Sequence, residues 1–205
     1  MSSSRPKPVL GLIGAIGAGK TAVAGLLAAR GAAVIDADKL GHTALERPDV
    51  KPRLVARWGD RILKPDGTVN RRVVGGIVFA DPKERAVLES IVFPVIGAMV
   101  AEGIAAVAHD SGVRFIVLDA AVMLEAGWAG ACDKILYVDA DRTVRLARLA
   151  ARSRWTSDDL AAREAAQMPA EQKKPRADAV VINNGSMVDL AGKLDRILKE
   201  WGLGP

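Results

Sequence analysis

Residues 9–21 read Val9-Leu10-Gly11-Leu12-Ile13-Gly14-Ala15-Ile16-Gly17-Ala18-Gly19-Lys20-Thr21, and how this stretch can be built decides the fold. The apolar run 9–13 is what a strand buried on both faces looks like. A helical run over 22–30 follows the glycine-rich turn. Gly14, four intervening residues, then Gly19, Lys20 and Thr21 meet the P-loop pattern in full, in the order strand, loop, helix that the pattern requires. Backbone N–H groups in such a turn, with the helix N-terminus behind them, make an anion hole for phosphate oxygens. Gly14, Gly17 and Gly19 permit the close approach and positive φ that this demands. Lys20 can reach β- and γ-phosphates, and the Thr21 hydroxyl is placed to hold Mg²⁺. The sequence therefore predicts a site for ATP with Mg²⁺.

Working outward, Gly31 predicts a helix stop, and 32–35 a second strand running into Asp36-Ala37-Asp38. In open parallel sheets the carboxyl ends of strands gather ligand-facing groups, so both aspartates are candidates. Asp38 is the candidate base, with Asp36 on a metal-bound water or behind it. If the strand extends through both, alternation sends them to one side and geometry does not choose. Further strands are expected over 114–118, ending at Asp119, over 134–139 and over 179–183. Asp119 suits either a metal-bound water or a structural hydrogen bond. Five strands alternating with helices predict a three-layer α/β fold around a parallel sheet. A single domain is expected, with core 8–38, 112–140 and 177–205, a helical acceptor-side insertion 39–111 and a lid region 141–176. Within the insertion, 86–108 reads as a long helix interrupted near Pro94.

The 205 residues, half of them hydrophobic, suffice for one sizeable core, and their apolar runs are short for a bilayer span. With no apolar leader after the polar N-terminus, a cytoplasmic protein without a membrane partner is expected. A single cysteine, Cys132, excludes an internal disulfide and reads as a small buried residue. The net charge of +5 suits nucleic acid or a polyanionic substrate. Much of the surplus lies in 141–176, where nine basic residues, Arg154 among them, face five acidic ones. The tryptophans do not alternate with basic residues as in a single-strand groove, so no nucleic-acid partner is expected. Arg145, Arg148 and Arg152 fall within an arc of about 60° on one helix. Either they form a solvated face, or Arg148 and Arg152 belong to a lid closing on a transferred phosphoryl group.

With these residues in place, the chain resembles the dephospho-coenzyme A kinase family nearly end to end. The likeness rests on GLIGAIGAGKTAVA (11–24), VIDADKLGH (34–42), RWGDRILKPDGTVNRRVVGGIVF (57–79), VLDAAVMLE (117–125), RLARLAARSRW (145–155) and AAREAAQMPAEQKKPRADAVVINNG (161–185). The resemblance implies transfer of the ATP γ-phosphate to the ribose 3′-hydroxyl of dephospho-CoA, by a monomer or weak homo-oligomer. It implies ATP phosphates on 17–22 (Ala18 and Ala22 among them), Asp38 as base, Arg71 and Glu125 on the acceptor side, Arg148 and Arg152 as lid arginines, and Asn183 near the adenine. The chain departs from the family pattern at Phe93, at Ala121-Val122-Met123 and at Arg145. Another small-molecule kinase of the same fold, a nucleoside monophosphate kinase for one, remains open on sequence alone, as does a non-catalytic nucleotide switch.

Overall fold

The computed structural model describes residues 7–153 and 155–204; the polar stretch 1–6 and Arg154 lie outside them. Two compact units emerge. One runs up to Asp36 and resumes at Gly103; the other is Ala37–Glu102.

The first unit is built on a five-stranded parallel sheet in the order β2-β3-β1-β4-β5. Its strands are β1 (Val9–Gly14), β2 (Ala32–Asp36), β3 (Phe115–Asp119), β4 (Lys134–Asp139) and β5 (Ala179–Ile182). Helices cover both faces, as expected for a three-layer α/β fold. Central β1 and β3 are buried at every residue, which is why they read as unbroken apolar runs. On one face, Leu10, Leu12, Phe115, Val117, Leu136, Val138 and Val181 pack with Val23, Ala24 and Leu27 of α1 (Lys20–Ala28) and with Leu190, Leu194 and Leu198 of the C-terminal helix, Met187–Glu200. On the other, a Cβ at Gly11 would come 2.8 Å from Met123 Sδ and 2.9 Å from Cys132 Sγ, so a side chain there would have to displace one of these sulfurs. Burial pushes the Cys132 thiol up to about 12, in keeping with a small packing residue rather than a nucleophile.

The second unit is helical: α2 (Ala37–Glu46), α3 (Lys51–Trp58), α4 (Arg71–Ala80) and most of α5 (Pro82–Val107). The turn 64–67 closes with Asp66 accepting from the Thr68 amide at 2.9 Å and from its hydroxyl at 2.6 Å. Two expectations change here. The second strand stops at Asp36 and Asp38 stands in the first turn of α2, so strand alternation does not govern it; a carboxylate there instead favours the positive helix end. Helix α5 also runs unbroken through Pro94. By length and composition alone this helix could cross a bilayer, which the short apolar runs did not suggest, although it carries Glu84, Glu89 and Glu102 and buries Ile91, Val92, Ile96 and Val100.

The remaining helices are α6 (Arg142–Ser153), α7 (Ser157–Glu164), α8 (Ala170–Lys173) and α9 (Met187–Glu200). Thr156 caps α7 in a reciprocal box with Asp159, as its place before Ser157-Asp158 predicts.

Candidate active site

Between β1 and α1 the chain makes the predicted loop. Gly17 and Gly19 adopt φ of 79° and 95°, the left-handed region that β-carbons resist. A Cβ at Gly14 would stand 2.5 Å from the Val138 carbonyl oxygen, and one at Gly19 would collide with the Asn183 amide. Lys20 opens α1, and its ammonium is ion-paired to Asp119 at the end of β3. Thr21 is exposed beside it. Asp36 and Asp119 are register partners on adjacent strands, so three acidic or hydroxyl groups of this unit come from the carboxyl edge of the sheet and the loop.

The outer side of the loop is held by two side chains. Asn183, buried just past β5, donates through Nδ2 to the Ala18 carbonyl at 2.8 Å. Arg148 of α6 donates to the same oxygen at 3.2 Å and to Asn183 Oδ1 at 3.4 Å. A trans peptide points its N–H opposite its carbonyl, so these bonds turn the Gly19 N–H away from them. Arg148 thus sits on the phosphate loop itself, whereas Arg152 is exposed at the end of α6. The arc drawn from sequence splits accordingly: Arg145 donates to the Ala140 carbonyl at 3.1 Å, to the Ile16 carbonyl at 3.1 Å and to Glu164 Oε1 at 2.5 Å.

A cleft of about 430 Å³ opens beside Gly14, Ala15 and Ile16. Tyr137 and Arg145 line it, and the segment 164–173 forms its far wall. That wall is fastened by a buried cation which sequence reading did not single out. Lys173, 2% exposed, bonds Glu125 Oε1 at 2.8 Å and the Ala121 carbonyl at 2.8 Å. Glu125 Oε1 also accepts from the Met168 amide at 2.9 Å. Glu125, expected on the acceptor side, is therefore engaged with the lid segment. Removing one partner of such a buried pair costs about 3–5 kcal/mol. No spacing signal separates Lys173 from its neighbour Lys174, which lies exposed and pairs with Asp139 at 2.6 Å.

Among the described residues no cluster of three or more acidic, His or Cys groups could hold a metal by itself. Mg²⁺ asks for less: one or two carboxylates or a hydroxyl, with substrate phosphates and water completing the octahedron. The hard oxygen donors of Thr21, Asp36 and Asp119 fit that demand. In the helical unit Arg71 is exposed in the first turn of α4, and Asp38 is exposed in that of α2.

A parallel sheet whose central strand feeds a glycine loop, a helix-opening Lys-Thr and a paired carboxylate defines a P-loop kinase. Solved structures share the fold: a crystal structure of TT1252 from Thermus thermophilus superposes with a TM-score of 0.79 at 33% identity, covering 96% of this chain and 98% of that one. A shikimate kinase from Acinetobacter baumannii reaches 0.54 at 16% identity over 95% and 94%, a likeness of fold alone. The Dephospho-CoA kinase family model matches residues 8–189. Dephospho-CoA kinases from Geobacillus kaustophilus and Anaeromyxobacter dehalogenans are 38% and 39% identical, each over 94% of this chain and over 96% and 91% of their own lengths. The chain belongs to the dephospho-CoA kinase family and is an ATP-dependent phosphotransferase.

Proposed function

We propose that the chain phosphorylates the ribose 3′-hydroxyl of dephospho-CoA in the cytoplasm, as a monomer or weak homo-oligomer, with roles for its residues as follows. ATP lies along residues 14–22, its adenine near Asn183. Lys20 exchanges Asp119 for β- and γ-phosphate oxygens, which offer it more negative charge. Arg71 holds the acceptor, and Asp38 accepts the proton of its 3′-hydroxyl. As that oxygen bonds to the γ-phosphorus, the bond to the β,γ-bridging oxygen breaks and ADP leaves; the proton remains on Asp38. Arg152 closes over the transferring group, while Arg148 keeps the loop's outer peptide turned. Thr21, with Asp36 behind it, would hold Mg²⁺, which would supply positive charge to offset that of the β- and γ-phosphates.

The observation that carries this reading is the loop itself: two left-handed glycines and a helix-opening lysine already held at a carboxylate, within a family of known reaction class. Incubation with ATP, Mg²⁺ and dephospho-CoA should yield ADP and a product carrying a new 3′-phosphate, and chelation of Mg²⁺ should stop it. Asp38→Asn should lower kcat about a hundredfold or more with little change in KM. An unchanged kcat would remove Asp38 from the mechanism.

A further inference from the structure

We propose that Lys173 is a positioning residue for phosphoryl transfer: it takes no place in the cleft as a charge, but fixes the far wall and sets the amide of Gln167 toward the substrate. The inference rests on the kinase reading above and adds to it.

An ammonium has three donors and no acceptor. Lys173 spends them on the Ala121 carbonyl, Glu125 Oε1 and, at 3.5 Å, Gln167 Oε1. Gln167 lies in the wall and Ala121 and Glu125 in the chain that follows β3, and the group is 2% exposed, so its charge is neutralised within the protein rather than offered to a ligand. The third contact decides an orientation. Only the oxygen of a side-chain amide can face a donor-only group, so the Gln167 NH₂ is turned away from Lys173. Gln167 lines the cleft opposite Gly14, Ala15 and Ile16, and its NH₂ has no acceptor among the described residues. Two such donors suit an oxygen-rich anion, here a phosphoryl oxygen of the reacting substrates.

The fastening is also built to release. Among the described residues Glu125 takes its bonds from Met168 and Lys173 on Oε1, while Oε2 is buried and meets no donor. An unpartnered buried oxygen favours any arrangement in which water reaches it. Lifting of 165–173 would admit that water, so the pair holds the wall without locking it shut. A wall held in place excludes water from the transfer; a loose one lets ATP hydrolyse instead.

The test compares the parent with Lys173→Met, the double variant Lys173→Met/Glu125→Gln, and Gln167→Leu. Thermal midpoint, kcat for dephospho-CoA, and ADP released per acceptor phosphorylated are read for each. Lys173→Met leaves a buried carboxylate alone and should lower the midpoint; the double variant should recover it. The recovered protein should nonetheless transfer about ten- to a hundredfold more slowly, with more than one ADP per product, and Gln167→Leu should show the same uncoupling at a parent-like midpoint. A double variant with both midpoint and kcat restored would make Lys173 merely structural and overturn the proposal. Should that variant not fold, one ADP per product in Gln167→Leu overturns it alone. A parent that makes no 3′-phosphorylated product sinks the function first; a working parent with unaltered variants sinks only the role of Lys173.

Discussion

The phosphate loop and the segment 157–176 meet at one cleft, yet different forces hold them. The loop is backbone hung between buried elements: Leu12 and Ile13 before it, Ala18 within it and Val23 after it are fully buried, and its turns need positive φ. The segment beyond α6 is three short helical pieces in which Leu160 and Lys173 are the buried residues among those described. Side chains hold it, through Arg145 to Glu164 and Lys173 to Glu125. A loop fixed by dihedral angles can present amides to a triphosphate without reorganisation, while a wall fixed by ion pairs can open and close around a substrate.

Substitutions can break this contrast from either side. The largest effect is expected at Lys20: Lys20→Ala should reduce kcat about a thousandfold, measured by product formation. Retention of even a tenth of parental turnover would contradict its role. Gly19→Ala should follow, since the left-handed conformation costs other residues roughly 1–2 kcal/mol and the new Cβ meets Asn183. ATP affinity by calorimetry should fall about tenfold or more, with no comparable change for a lid substitution. Thr156→Ala supplies that lid substitution. Loss of the cap should lower stability by about 1 kcal/mol in denaturant and leave ATP affinity intact; a weaker ATP complex would mean the two regions are not separately held.

The smallest effect should appear in the dependence of stability on pH. The hydrogen bond from Arg30, two residues past α1, holds the Asp195 carboxyl below its ordinary range. A carboxylate lowered on folding stabilises the protein above the unfolded value, and that contribution is lost as pH falls through the folded one. Asp195→Asn should therefore lower Tm slightly near neutrality, where the pair contributes, and change nothing in strong acid, where the parent has already lost it, so that the acid limb of a plot of Tm against pH is flattened. Both partners stand partly in solvent, so screening keeps the effect small.

How far each region could be read in the sequence follows from the same contrast. Glycine records a dihedral angle in its identity, so Gly17 and Gly19 announce the loop, and buried strands announce themselves as apolar runs. Ion pairs leave no such trace. Lys173 and Lys174 are neighbours of one type, and only the fold buries the first and exposes the second. Arg145, read as a departure from the family pattern, proves to tie Ile16 to Glu164, and Ala121, another departure, contributes its carbonyl, which any residue would supply. Asp38 was legible as a carboxylate, but whether it ended a strand or opened a helix was not, because Asp36-Ala37-Asp38 suits either. Pro94 marked a break that did not occur; a helix of 26 residues tolerates one missing hydrogen bond.

Asn183 is contributed by the last thirty residues of the chain, yet it grips Ala18 near the beginning. During synthesis the glycine turn leaves the ribosome long before the amide that braces it. A nascent chain shorter than 183 residues therefore carries the complete glycine loop without its rear support, and the loop is braced from behind only as the closing strand joins the sheet.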